Sequence, residues 1–344
     1  MKKLSEIFGD VPVICVAEIG INHNGNVDLA KKMITAAAKS GAHAAKIQSI
    51  DASELYSTYS KSISNGDKKY NKDESIIDFF KKFYLNEEEH RLLFKHARSE
   101  NIELFSTPFD NDTVDMLEDC GASLYKIASC DVTNHKLIKH ISSKRKPIIL
   151  STGMSSDNQI KQAVRIIKSA GNDFILLHCV SLYPVEPINM NLRRIDVLKS
   201  MHKCKVGLSD HSNEEVVLAG AVFKGISMVE RHFTDEYRDD CPDKEVSYDS
   251  QKFRSMVDNI GYLLEIDGCG NDLISTDEKA VAKASRRSLF ISTDLKKGTV
   301  LTGDMLKCKR PFAGICASLY YDVIGKKLTK NISSDMPLYP EDIE

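Results

Sequence analysis

The sequence has no long apolar run, no excess of charge of one sign and no paired cysteines. No stretch approaches the roughly 18 apolar residues that a membrane span needs, so we predict no transmembrane helix. The formal net charge of -2 supplies no long-range attraction for nucleic acids or acidic membranes, so neither is an expected partner. The nine cysteines stand singly without a CxxC pair, which argues against a zinc knuckle or a disulfide framework and favours reduced thiols in a cytoplasmic protein.

The sequence also lacks a tract rich in proline and glycine. With 42% hydrophobic and 28% charged residues, the composition indicates a folded globular protein. Its 344 residues are too many for one small domain, so we predict two domains. The N-terminal segment MKKLSEIFGDVPVICVAEIG contains two lysines, but its apolar part has an acidic flank, so we do not predict a signal peptide.

Short apolar runs alternate with amphipathic helical windows along most of the chain. Eight runs predict strands, at residues 11–19, 44–49, 103–107, 124–128, 147–151, 174–179, 205–209 and 227–232. The predicted helices occupy residues 28–40, 86–100, 111–120, 135–142, 156–170, 192–201, 213–223 and 249–266. Eight such units predict a (β/α)8 TIM barrel of parallel strands. The turn after the first strand reads EIGINHNGN and not GxGxxG, so an open dinucleotide-binding sheet is not favoured.

The C-terminal part of the sequence has a different pattern. We predict a barrel domain at residues 1–270, a charged linker at 271–285 and a small, mostly-β domain at 286–344. The last domain contains the short turn-punctuated segments RRSLFIS, DLKKGTVLT, LKCKRP and IGKKLTKNI. A domain of about 60 residues has a marginal core, so we expect it to pack on a barrel.

Polar residues cluster where the predicted strands end, which is the catalytic mouth of a TIM barrel. His211 and His232 end adjacent strands and could share a divalent metal that keeps positions for water and substrate. Either histidine alone would more often be an ordinary buried residue, and their shared placement favours metal ligation. Asp210 or Glu230 could orient an imidazole or form a structural salt bridge. Asp131 could hydrogen-bond a sugar, shuttle a proton or cap the next helix.

Two lysines lie inside apolar predicted strands. Lys46 in AAKIQS and Lys126 in YKIAS are costly to bury unless each meets an anion. Together with Ser129, Ser151 and Ser209 they would suit a phosphate and a carboxylate. Two alternatives remain: a desolvated lysine that forms a Schiff base, as in class I aldolases, or lysines that extend to solvent at the strand ends.

Eight motifs resemble, in their order, the sialic acid synthase family: AEIGINHNG, KIQS, FSTPFD, YKIAS, ILSTGM, LLHCVSLYP, GLSDHS and ERHFTD. The resemblance covers essentially the whole chain, since DLKKGTVLTGDMLKCKRP and IGKKL are similar to the antifreeze-like (SAF) domain of these enzymes. It implies an N-acetylneuraminate synthase-like transferase that condenses phosphoenolpyruvate with open-chain N-acetylmannosamine or a relative and releases phosphate. It also implies Mn2+ or Mg2+, with Mn2+ preferred, and a homodimer in which the SAF domain of one subunit covers the barrel mouth of the other.

The resemblance further implies roles for individual positions. The implied metal ligands are His211 and His232. The implied phosphoenolpyruvate site contains Lys46, Thr107, Lys126, Ser129, Ser151, Ser181 and Ser209. The catalytic candidates are Glu18, Lys46, Lys126 and Asp131. The sugar site is expected to contain Asn71, Tyr183, Asp243 and, from the partner subunit, Arg310.

Three positions depart from the pattern of many bacterial members. Asp131 stands in place of Glu, Ser181 in place of Asn, and PFAGI follows Arg310 in place of PGxG. The acceptor therefore stays open between N-acetylmannosamine, its 6-phosphate, and the deoxy-diacetamido sugars that lead to legionaminic or pseudaminic acid. Two further alternatives are a Schiff-base aldolase that uses Lys126 and a non-catalytic carbohydrate-binding barrel. The latter predicts lost metal or lysine positions, and all of these are present.

Overall fold

A computed structural model describes residues 3–59, 75–238, 240–268, 270 and 274–344. The chain divides into two compact units, Met1–Gly268 and Cys269–Glu344. In the first unit eight parallel strands close into a barrel in chain order, which confirms the predicted fold. The strands are β1 (Ile14–Gly20), β2 (Ala44–Ser49), β3 (Glu103–Pro108), β4 (Tyr125–Ile127), β5 (Ile148–Ser151), β6 (Phe174–Cys179), β7 (Lys205–Asp210) and β8 (Met228–His232).

Helices follow the strands as the amphipathic windows predict. Those of the first unit are α1 (Leu4–Phe8), α2 (Val27–Lys39), α3 (Ala52–Leu55), α4 (Ile76–Lys81), α5 (Glu87–Ser99), α6 (Asn111–Asp119), α7 (His135–Ser143), α8 (Asp157–Ser169), α9 (Arg193–His202), α10 (Glu215–Phe223) and α11 (Ser250–Asp267). Reciprocal capping boxes start two of them, Asn86 with Glu89 at α5 and Ser156 with Gln159 at α8. Such a cap stabilises a helix by about 1 kcal/mol.

The short helices α1, α3 and α4 were not predicted from the sequence. Helix α1 closes the N-terminal end of the barrel, where the Leu4 amide donates to Asp173 at 2.8 Å. Leu4 and Phe8 pack in one cluster with Phe105 and Leu177 from the strands. The barrel therefore has a filled interior and not a channel.

Close packing inside the barrel fixes the relative positions of the strands. At Gly207 on β7 an added Cβ would overlap the Met228 carbonyl oxygen and would approach Leu177 Cδ2 to 2.7 Å. Only glycine lets β7 come so near its neighbours. The strand ends that carry the polar residues are thus held on a rigid base.

Strand register brings distant polar residues side by side. Glu18 on β1 is aligned with Lys46 on β2 and with His232 on β8. Ser209 on β7 is aligned with Glu230 on β8. Aligned residues on neighbouring strands lie about 4.8 Å apart with their side chains on the same face of the sheet. These residues consequently converge at the C-terminal mouth.

The second unit is small and rich in turns. It contains α12 (Thr276–Ser285), the antiparallel strands β9 (Ser288–Ile291) and β10 (Leu306–Lys309), and α13 (Tyr320–Val323). Isolated bridges such as Leu295 with Ile332 and Val300 with Lys327 hold the loops together. Helix α12 occupies much of the segment expected to be a linker. Of the helices in the described part of the chain, none has the length and apolarity to cross a membrane.

Candidate active site

A buried ion network occupies the C-terminal end of the barrel. Lys46 Nζ lies 2.5 Å from Glu18 Oε2 and 3.8 Å from Glu230 Oε2, and it donates to Thr107 Oγ1 at 3.2 Å. The side chains of Lys46 and Glu18 are each only 3% exposed. Burial by itself lowers the pKa of Lys46, but the facing carboxylates of Glu18 and Glu230 outweigh it and raise the pKa above its usual value. Lys46 therefore stays an ammonium ion.

Lys126 forms the second half of this network. Its Nζ donates to Ser151 Oγ at 2.7 Å and to the Ile127 carbonyl at 3.3 Å, and it lies 3.8 Å from Glu230 Oε1. Burial lowers the pKa of Lys126, and Glu230 opposes that shift only in part. The two lysines therefore share one carboxylate.

Glu230 is a site residue whose position the sequence did not predict. The sequence left its role open between orienting an imidazole and forming a structural salt bridge, and in the structure it bridges the two lysines and accepts from Ser209 Oγ at 3.0 Å. Burial tends to raise the pKa of Glu230, but Lys126 and Lys46 hold it below its usual value. The signal in the sequence was an acidic residue within the buried strand MVERH.

Hydroxyl groups surround the lysines. The Gly153 amide donates to Ser129 Oγ at 3.0 Å. A Cβ at position 153 would lie 2.9 Å from Ser129 Oγ and would overlap Ser181 Oγ. Glycine at position 153 therefore leaves the room that these two hydroxyls occupy. Ammonium and hydroxyl donors in this arrangement are suited to a phosphate.

The two predicted metal ligands lie near each other, with ring centroids 5.4 Å apart. Burial and the neighbouring His232 lower the pKa of His211 to about 3, so His211 is neutral. Its Nδ1 lies 3.0 Å from the Val180 carbonyl oxygen, which requires a proton on Nδ1 and leaves a lone pair on Nε2. His232 Nδ1 lies 3.3 Å from Asp243 Oδ2. The described residues contain no cluster of three or more metal-binding side chains, so a cation here would take its other ligands from water or substrate.

Asn22 ties two loops of the mouth together and was missed by the sequence analysis. Its Nδ2 donates to the Phe233 carbonyl and to Ser247 Oγ, both at 3.0 Å. Its Oδ1 accepts from the Asp243 amide at 2.9 Å. Asn22 thereby fixes Asp243 beside His232. Its place in the motif EIGINHNG, two residues after β1 ends, was the feature of the sequence that could have indicated a role at the mouth.

The cavity above the network has a volume of about 510 Å³, which is within the range of small-molecule sites. It gathers twelve of the predicted site residues: Glu18, Lys46, Thr107, Lys126, Ser129, Ser151, Ser181, Tyr183, Ser209, His211, His232 and Asp243. Tyr183 stacks on His211 with ring centroids 4.1 Å apart. Gln48 also lines the cavity and donates to Glu18 Oε1 at 3.1 Å.

Three predicted site residues are not gathered there. Asp131 is buried but is not among the described residues that line the cavity, because it accepts from Asn134 Nδ2 at 3.1 Å and from Cys130 Sγ at 3.5 Å. Asn134 caps α7, so Asp131 supports that cap. Arg310 is exposed in the second unit directly after β10. Asn71 lies outside the described residues.

Comparison with known proteins gives a consistent result. The sequence model of the NeuB family matches residues 33–272, and that of the SAF domain matches residues 286–344. An N,N'-diacetyllegionaminic acid synthase of Campylobacter jejuni is 36% identical and covers 94% of this chain and 97% of its own. A pseudaminic acid synthase of Helicobacter pylori is 32% identical over 97% of this chain and 98% of its own. The crystal structure of a sialic acid synthetase from Leptospira borgpetersenii is 32% identical, with a TM-score of 0.71 over 78% of this chain and 90% of that one.

Proposed function

This chain belongs to the NeuB family, and we propose that it condenses phosphoenolpyruvate with an open-chain 2-acetamido hexose to make a sialic-acid-type sugar. One observation carries the proposal: two buried ammonium groups, surrounded by hydroxyls, face two imidazoles across a single cavity. That donor set suits a small anion with two charged ends next to a carbonyl compound.

Lys46 and Lys126 would hold the phosphate and the carboxylate of phosphoenolpyruvate. Glu18 and Glu230 pair with these lysines in the structure and keep a charge partner beside each of them. A buried charge that loses its partner destabilises a protein by about 3–5 kcal/mol, so the two carboxylates offset the cost of burying the lysines. The hydroxyls of Thr107 and Ser151 already bond the two ammonium groups and would complete the anion site.

We propose that His211 and His232 hold a divalent cation, Mn2+ in preference to Mg2+. The neutral His211 ring, fixed by its bond to the Val180 carbonyl, fits this use because it offers an unprotonated Nε2. When bound, the cation would polarise the aldehyde of the acceptor. Asp243 lies beside His232 and would orient that ring.

The proposed reaction forms one carbon–carbon bond and breaks one bond to phosphate. C3 of phosphoenolpyruvate attacks the aldehyde carbon, and the aldehyde oxygen takes a proton. Water adds at C2, and phosphate leaves to give the C2 ketone. Glu18, held by Lys46 and Gln48, is the cavity carboxylate that we propose to hold and move a proton. Asp131 is the less suitable candidate because it does not line the cavity.

We also propose a cytoplasmic homodimer in which the partner subunit's Arg310 contacts the N-acetyl group of the acceptor. The resemblance of the C-terminal domain to SAF domains and the exposure of Arg310 support this proposal. Sedimentation equilibrium of the full chain tests it, since a monomer at enzymatic concentrations contradicts a site shared between subunits.

The deciding experiment measures phosphate release from phosphoenolpyruvate. Release should require a 2-acetamido hexose, stop with EDTA and return with Mn2+.

A Schiff-base aldolase is the second candidate function, because burial lowers the pKa of Lys126. Borohydride would then link pyruvate to Lys126. Absence of both reactions in the folded protein would favour a binding function.

A further inference from the structure

Arg231 and Asp210 form a buried ion pair at the C-terminal ends of β8 and β7. Arg231 Nη1 lies 2.5 Å from Asp210 Oδ2, and the two side chains are only 1% and 5% exposed. The residues on either side of Arg231, Glu230 and His232, line the cavity, whereas Arg231 is not among the described residues that do. Successive side chains of a strand point to opposite faces, so the ion pair lies between the strands and the helices, behind the cavity.

The guanidinium of Arg231 also binds the backbone on both sides of His211. Nη1 donates to the Asp210 carbonyl at 3.5 Å, and Nη2 donates to the Ser212 carbonyl. The Asp210 carboxylate in turn accepts from the Ser212 amide at 2.8 Å, which closes the turn that carries His211. A planar guanidinium bonds several acceptors in a fixed geometry, which a single ammonium group does not. Arg231 therefore holds this turn from the neighbouring strand.

Tyr248 fixes the guanidinium and the other histidine at once. The centroid of its ring lies 3.9 Å from Arg231 Cζ, so the ring covers one face of the guanidinium. The backbone amide of Tyr248 donates to the His232 carbonyl at 2.8 Å. Arg231 and Tyr248 together thus connect the backbone that carries His232 with the backbone that carries His211.

Stability alone does not explain an ion pair in this layer. Removing two charges from water often costs more than their attraction returns, and apolar residues of similar volume are frequently as stable or more stable. Two positions earlier on the same strand faces, Leu208 and Val229 fill the layer with apolar side chains. The charged pair occurs at the last position before each histidine. What it adds there is directional bonding, which apolar packing does not provide.

We infer that Arg231 is a positioning residue that sets the distance between the imidazoles of His211 and His232 and thereby the affinity of the site for a divalent cation. The inference rests on the proposed cation and extends that site to a residue behind the barrel wall. The two rings have centroids 5.4 Å apart. Two ligands bind one cation tightly only when surrounding groups hold them in the productive geometry.

The test measures Mn2+ binding by calorimetric titration of the metal-free full chain. Arg231→Lys keeps a positive charge beside Asp210 but cannot bond the two carbonyls in the same way. We expect its Kd for Mn2+ to rise about tenfold, the lower end of the roughly 10- to 100-fold loss that follows removal of a group supporting a metal ligand. The Kd for phosphoenolpyruvate in EDTA should not change, because Lys46 and Lys126 lie on β2 and β4.

Two variants of Tyr248 test the same inference without changing Arg231. Tyr248→Phe retains the ring over the guanidinium and should bind Mn2+ as the wild type does. Tyr248→Leu removes the ring and should weaken Mn2+ binding severalfold. The matched control is Phe94→Leu, a comparable truncation at a buried position on α5, which should lower Tm without changing the Kd for Mn2+.

The outcomes separate the inference from the proposed function. Wild-type Mn2+ affinity in folded Arg231→Lys or in Tyr248→Leu overturns the inference and leaves the proposed cation site standing. A loss of affinity in Phe94→Leu as large as that in Tyr248→Leu also overturns it, because general loosening of the barrel would then be sufficient. If the wild-type chain binds no Mn2+, the proposed cation and the inference are rejected together.

Discussion

Replacing Glu230 with glutamine tests whether one carboxylate stabilises both buried lysines. Glu230 lies 3.8 Å from Lys46 Nζ and 3.8 Å from Lys126 Nζ, and all three side chains are almost fully buried. In Glu230→Gln, Lys46 keeps Glu18 at 2.5 Å, whereas Lys126 loses its nearest carboxylate. Breaking a buried ion pair costs about 3–5 kcal/mol. We expect about 3 kcal/mol, because the glutamine oxygen still accepts from Ser209.

The assay is thermal unfolding of the full chain. A loss of about 3 kcal/mol lowers Tm by about 6–12 °C in a domain of this size, at roughly 2–4 °C per kcal/mol. Glu265→Gln, at an exposed position on α11, is the matched control and should melt with the wild type. The reasoning is refuted if Glu230→Gln also melts with the wild type.

A double-mutant cycle with Lys126→Met separates charge pairing from packing. If Glu230 acts through Lys126, the double variant is more stable than the sum of the two single changes predicts.

Burial holds the pKa of Lys126 below 10.5, so the unfolded chain binds more protons at Lys126 than the folded chain does. The free energy of unfolding therefore rises with pH up to about that value. In Glu230→Gln the pKa of Lys126 falls further, so this rise should begin at lower pH.

Three further predictions concern other parts of the first unit. His232→Ala should stay folded but lose Mn2+-dependent turnover and calorimetric Mn2+ binding, and full activity would reject its assignment as a ligand. Burial and His90 lower the pKa of His23 from 6.5 to about 4, so stability should be lost as pH falls through this interval, and His23→Asn should flatten the dependence of Tm on pH. Gly153→Ala should raise KM for phosphoenolpyruvate severalfold, whereas Gly261→Ala, which meets nothing within 4 Å, should leave it unchanged.

The barrel could be predicted because each of its strands is a short apolar run with its own boundaries. Strand β2 at Ala44–Ser49 and strand β6 at Phe174–Cys179 begin and end where the apolar runs do. The lysines could be predicted as inward residues for the same reason, since a charge inside such a run has no exposed face to occupy. Strand β1 begins only at Ile14, after Pro12, because proline lacks the amide proton that a strand requires.

The remaining features depend on contacts between residues far apart in the chain. Helices α3 and α4 are too short for a periodic pattern, and Ala52 of α3 and Phe80 of α4 meet in one small core whose members are distant in the sequence. The position of Glu230 between two lysines follows from the register of β8, which no local pattern encodes. The sequence left Asp131 open between a sugar or proton-transfer role and the cap of the next helix, and its bond to the capping residue Asn134 could not be read from spacing alone.

The charge balance of the cavity links the proposed cation to the proposed anion. Among the described residues, the carboxylates of Glu18, Glu230 and Asp243 line it together with the lysines Lys46 and Lys126, and His211 is neutral. Phosphoenolpyruvate would add further negative charge beside these three carboxylates. A divalent cation at the imidazoles offsets that charge, so each ligand should strengthen the binding of the other. Equal phosphoenolpyruvate affinity with Mn2+ and with EDTA, measured calorimetrically, would show that the two sites are electrostatically independent.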